Sequence, residues 1–255
     1  AAHPATARHI AGKLAVRFIS DTPPASVVDR LAKTFQSSGG DLRHVMVTLV
    51  EAPEFWAPQA QRAKIKSPFE LAISALRSVD AGLFNPKQLA GWIEKMGQPL
   101  YAYQVPTGYP DRAEAWVNTG ALLNRMNFSL ELAAGRINGL RFDLLALLEQ
   151  REPPSLDEAL EAYLPLLLPE RDIQHSFERL RPVVRDPRLA AKLSEPQLAE
   201  AYDISGADTF EWETDSVESR DRRIRAPGPS PEEISSRGIA HVVGVILGSP
   251  EFQRR

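Results

Sequence analysis

Apolar residues recur along most of this chain at three- and four-residue intervals, the spacing of a helix with one face in a core. Ile10, Leu14 and Phe18, flanked by Ala7 and Ala11, form the first such stripe. Val27, Val28, Leu31, Ala32 and Phe35 form the second, after the break at Thr22-Pro23-Pro24. Gly39-Gly40 can stop that helix and Asp41 can cap the next, which carries Leu42, Val45, Met46, Leu49 and Val50. Helices joined by so tight a turn are expected to pack as an antiparallel hairpin.

The same grammar continues. Ser67-Pro68-Phe69-Glu70 reads as a capping box with Pro at the first helical position, launching Leu71 to Val79, and Pro86 opens a helix through Met96. From Gly97 to Pro110 three prolines and two glycines preclude regular structure while Tyr101, Tyr103 and Tyr109 crowd in, which predicts an ordered aromatic loop. Asp111 and Glu114 suit a cap and its partner for a long helix over about 112–134. Beyond Pro153-Pro154, Ser155-Leu156-Asp157-Glu158 starts a leucine-rich helix interrupted by Pro165 and Pro169. Helices are expected near 173–184 and 189–202, then a polar loop over 203–229 and a final helix from Ser230. No stretch alternates long enough for a strand. The expected class is all-α, an irregular array of helical hairpins with long ordered loops. The expected organisation is a helical core over 1–148 and an extension over 149–255 whose last helix packs back on it.

One echo is internal: an apolar helix runs into Pro53-Glu54-Phe55 and another into Pro250-Glu251-Phe252. Proline pushes the residue before it out of the helical region, so each marks a helix end with an aromatic anchor behind it. Two copies do not make a solenoid.

Composition narrows the chemistry. The 255 residues are 43% hydrophobic and 25% charged, as an ordinary folded domain is, and a net charge of −3 gives no footprint for nucleic acid. The longest apolar run, Ile239 to Leu247, is broken by His241 and Gly244 and is too short to span a membrane. With no cysteine, disulfides, thiolate nucleophiles, zinc ribbons and iron–sulfur clusters are excluded together. The five histidines form no His-Glu-x-x-His arrangement. Glu211, Glu213 and Asp215 alternate but lack the central glycine of a calcium loop, so no metal and no cofactor is expected. The arginines at 220, 222, 223 and 225 can neutralise that acidic stretch locally. There is no Gly-x-Ser-x-Gly elbow and no phosphate loop.

Three segments together resemble one bacterial family, known as domain of unknown function 1800. They are His3-Pro4-Ala5-Thr6-Ala7-Arg8 with Lys13-Leu14, Lys66-Ser67-Pro68-Phe69-Glu70 through Ala75-Leu76-Arg77, and Met96-Gly97-Gln98-Pro99-Leu100 leading to Trp116-Val117-Asn118-Thr119. The closing Leu247 to Gln253 is similar to that family's usual ending. The resemblance covers Ala1 to Asn138 and the last helix, and departs from the family's frequent Gly-Trp at Gly108-Tyr109. It implies another helical half before the His-Pro motif, a bacterial source and an exported protein, periplasmic or secreted, but no reaction. With a helix beginning at the fourth residue, the chain is expected to be the C-terminal part of something longer.

Two functional readings follow. The first is a binding or assembly module acting with a partner chain, or with that N-terminal half, packed on the helix over 4–19. It predicts exposed apolar surface beside that helix and no deep polar pocket. The second is a hydrolase-type enzyme with its site between the aromatic loop and the helix behind it. It predicts a pocket gathering Tyr109, Asn118 and Arg125. The residues singled out for binding are Lys66, Arg77, Tyr109, Trp116, Asn118, Arg125 and Asn127. His9, Lys13 and Arg17 form a basic ridge that reads as a solvated face.

Overall fold

His3 sets the first helix: its Nδ1 accepts the Ala5 N–H at 3.1 Å, and Pro4 occupies the first helical position of α1 (Pro4–Phe18). The computed structural model describes residues 3–169, 171–189 and 236–255. The helix expected over 189–202 and the polar loop over 203–229 lie outside them, apart from Leu189.

α1 packs on α2 (Ala25–Ser37), and α2 on α3 (Leu42–Glu51), which Asp41 caps through the Arg43 N–H. The buried face of α1 corrects the expected stripe. Ala7, Ala11 and Ala15 are fully buried against Val27, Leu31, Phe35, Val45 and Leu49. Ile10 and Leu14 are only half-buried beside them, and Phe18 is 44% exposed. Small alanines let two helix backbones approach, which turns the larger side chains outward to the flank of the contact. A single turn, α4 (Pro53–Trp56), follows α3 and lays Phe55 on this core.

A second core gathers the later helices among the described residues. α5 (Pro68–Ser78) begins with the expected capping box. It is followed by α6 (Lys87–Lys95), α7 (Thr119–Ala133), α8 (Leu156–Leu167) and α9 (Ile173–Val184). α10 (Ser236–Gly248) lies at the centre: Ile239 to Gly248 are all buried, and the helix packs on α7, α8 and α9. Gly244 and Gly248 face α7 closely enough that a Cβ on Gly244 would stand 3.2 Å from the Leu130 Cα. His241, buried in the same helix, donates from Nε2 to the Val184 carbonyl at 2.9 Å, which ties α10 to the end of α9.

Two further expectations need correction. The long helix over 112–134 is broken: a 3-10 turn at Ala113–Ala115 precedes α7, and Asn118 is the true cap, accepting the Ala121 N–H at 2.8 Å. Asp111 does not cap: its carboxylate faces Arg17 at 2.7 Å, and Asp21 accepts the Ala113 N–H instead. Also, two strands do form, β1 (Gly82–Leu83) and β2 (Leu140–Arg141), paired antiparallel. Two residues are too few to leave an alternating pattern. The class is otherwise as read, mostly helical.

Polar side chains join the two cores. Arg17, at the end of α1, donates to Asp111 and to Glu70 at 2.8 Å. Lys64, almost wholly buried, donates to the Asp21 carboxylate and the Asp111 carbonyl. Asp21 also accepts the Ala113 N–H at 2.8 Å. Burial opposes the Asp21 charge, but Lys64 and that N–H outweigh it and hold its carboxyl below the ordinary value.

Candidate functional site

The aromatic loop is tied mainly to itself. Tyr109 donates its hydroxyl to the Pro99 carbonyl, and its ring lies 4.4 Å from Tyr103 and 5.7 Å from Trp116 between centroids. Trp116 is buried and donates Nε1–H to the Pro110 carbonyl at 3.0 Å. Behind it on α7, Asn118 is spent on its cap, and Asn124 donates to the Lys95 carbonyl at 2.6 Å, holding the end of α6. Asn127 is half-buried on the same helix. Arg125 turns elsewhere, so Tyr109, Asn118 and Arg125 serve three different neighbours and no pocket gathers them. The cavity beside Tyr103 and Tyr109, about 600 Å3, opens instead toward His9 and Lys13 of α1.

Arg125 leads to the other end of the molecule. Fully buried, it donates from Nη2 to the Lys66 carbonyl at 2.9 Å, and Nη1 stands 3.5 Å from Gln253 Oε1. Gln253 in turn donates to the Gly248 carbonyl at 2.9 Å. Above this pin the last residues pair with the segment before α5: Lys66 N–H donates to the Gln253 carbonyl at 2.8 Å, Arg255 N–H to the Lys64 carbonyl at 2.9 Å, and Ile65 stands opposite Arg254. Arg125 has no carboxylate beside it, and burial pushes its guanidinium down to about 10, still charged at neutral pH.

Between this short ladder, α5 and the α8–α9 connection opens a cleft of about 580 Å3. α5 presents Ser74, Arg77 and Ser78 to it, at helical spacing on one face. Lys66 stands in its wall with Nζ 4.0 Å from the centre of the Phe252 ring, and Phe252 is itself an anchor in the second core. Burial first, and then the nearby Arg171, lower the Lys66 ammonium to about 8, with Glu70 opposing. Arg171, Arg254 and Arg255 complete the cationic side. Glu251 is the one carboxylate among the described lining residues, and it faces Arg179 at 2.6 Å. Lys66 and Arg77, two residues chosen from the sequence, therefore share a wall, and Arg125 braces that wall from beneath. Arg171 and Arg254 were not foreseen. The internal echo at Pro250-Glu251-Phe252 and the family-like ending over Leu247 to Gln253 pointed to the neighbourhood of Arg254, by marking where the chain turns after α10.

Among the described residues no group of His, Asp and Glu is placed to hold a metal ion. No described helix is long and apolar enough to cross a membrane. Residues 1–254 match the model of a family described as Protein of unknown function (DUF1800). The chain belongs to that family. No curated protein and no solved structure matches it. The DUF1800 match runs through the stretch from 149 to 229, where the sequence offered no motif of that family, so both the tail and the α8–α9 connection that build the cleft lie inside the family's span.

Proposed function

We propose that this DUF1800 protein is a binding module whose working site is the cleft beside the C-terminal tail. The observation that carries this reading is the cleft's construction. Four separate segments, around Lys66, Arg77, Arg171 and Arg254, meet in one concavity, while Tyr109, Asn118 and Asn124 near the aromatic loop are spent on a cap and backbone ties. A ligand site needs a concave surface with a few convergent polar groups, and this cleft has both. Among the described lining residues neither Ser74 nor Ser78 is hydrogen-bonded to Lys66 or Glu251, Ser78 donating instead to the Ala75 carbonyl, which favours binding over hydrolysis. Export to the periplasm or beyond belongs to the same reading, on the family resemblance. So does an apposed partner chain on α1, where Phe18 keeps an exposed face.

A fragment library screened against the intact chain by amide-shift NMR tests the site. Hits are expected to move the amides of Lys66, Arg77 and Arg254. Hits that instead move Tyr103, Tyr109 and Asn118, together with turnover of ester or glycoside probes, would restore the hydrolase reading.

A further inference from the structure

We propose that the cleft takes an oxyanion, a phosphate, sulfate or carboxylate group carried by its ligand; this rests on the binding reading above. Cations crowd one another there. After burial, Arg171 disfavours the Lys66 charge, and after burial Arg62 and Arg254 do the same to Arg171, with Glu251 opposing. Such crowding costs free energy unless counter-charge answers it. Among the described residues Glu70 and Glu251 answer part of it, acting on Lys66 and Arg171. Lys66, Arg77 and Arg254 make no salt bridge among the described residues, and Glu251 is shared between Arg171 and Arg179, the latter at 2.6 Å.

The crowding is not needed to hold the fold. The tail is fastened by main-chain hydrogen bonds and by Arg125 from below, and neither uses the side chains of Lys66, Arg77 or Arg254. Arg171 spends one Nη2–H on the Glu251 carbonyl, and the rest of its fork of donors is open to a ligand. Nor does the crowding reflect overall composition, since the whole chain is net negative at −3. The apolar wall of Phe252 and Leu167 keeps part of the site dry, which strengthens any charge-assisted hydrogen bond made inside it. The hydroxyl of Ser74 adds a neutral donor beside Arg77. Guanidinium forks with an ammonium and a hydroxyl form a donor set suited to oxyanions.

The test titrates the full chain with inorganic phosphate, sulfate and citrate at fixed ionic strength, with chloride as control. It reads thermal stability and amide shifts. The expected result is a saturable rise in Tm with shifts at Lys66, Arg77 and Arg254 for at least one of the three anions, whose order reveals which group the site prefers. Above pH 8 binding should take up a proton, because an anion draws Lys66 back to its charged form; calorimetry in buffers of different ionisation enthalpy reads this. The double variant Arg77→Gln/Arg254→Gln removes two exposed cations that tie down nothing. It should leave the unliganded Tm no lower, since it relieves the crowding, and lose about tenfold in affinity. The distant Arg8→Gln should change nothing. Equal affinity in the double variant, or no saturable response to any anion, overturns the proposal. If neutral fragments still map to the cleft in that event, the binding reading survives without its anion; if none do, both fall.

Discussion

A buried guanidinium with no carboxylate beside it must find neutral oxygens, and Arg125 is held by the Lys66 carbonyl and the Gln253 amide. Its replacement by Ala opens a cavity and leaves that carbonyl unbonded, so a loss of about 3 kcal/mol is expected in denaturant unfolding. Hydrogen exchange should quicken at the Lys66 and Arg255 amides in the same variant. Lys66 makes a separate prediction. Its charge is disfavoured in the folded state, down to about 8 from 10.5, so between those values the unfolded chain holds a proton that the folded chain has released. Stability therefore rises with pH across that window and is flat below it, and the difference between wild type and Lys66→Met should show that rise. At this scale the sequence was readable where partners are near. Asp41 and Ser67 were rightly taken as caps, since a cap acts within three residues. Asp111 was misread because its partner, Arg17, lies 94 positions away. The same holds for the site: side-chain type marked Lys66, Arg77 and Arg125, but nothing in local spacing could say that the tail lies against them.

Among the elements, α10 shows how close contact is set by what a residue lacks. A Cβ on Gly244 would press on the Leu130 backbone, which α7 holds fixed, whereas one on Gly248 would meet the flexible Met126 thioether at 2.6 Å. Ala at Gly244 is therefore expected to cost about 1–3 kcal/mol, and Ala at Gly248 less, a contrast thermal unfolding can measure. α1 carries the complementary lesson. Its apolar periodicity announced a helix correctly, but the eye goes to Ile10, Leu14 and Phe18, while the contact with α2 is made by alanines. Periodicity gives the element; which flank it buries depends on how near the neighbouring backbone comes.

On the scale of the whole molecule, the joint between the two cores hangs on few groups. Lys64→Ala leaves the Asp21 carboxylate without its ammonium in a mostly covered site, and a loss of about 3 kcal/mol is expected. Exchange at the Ala113 amide would show whether the joint or only the first core has loosened. Acid acts on the same joint: the Asp21 contribution is present above its ordinary value of 3.8 and is lost as pH falls through its lower folded value. The two cores also differ in when they can form. The first is built from residues 7 to 52, so its contacts are local and can close early. The second has its central helix last in order, with α7 and α8 waiting for residues 239 to 248. During synthesis at the ribosome, then, the first core should resist protease as soon as it emerges, while 68–184 stays cleavable until α10 is out. Pulse proteolysis of stalled nascent chains should reveal that order. A chain cut short before α10 would leave its longest apolar surfaces waiting on a helix that never arrives, and would be degraded rather than partly active.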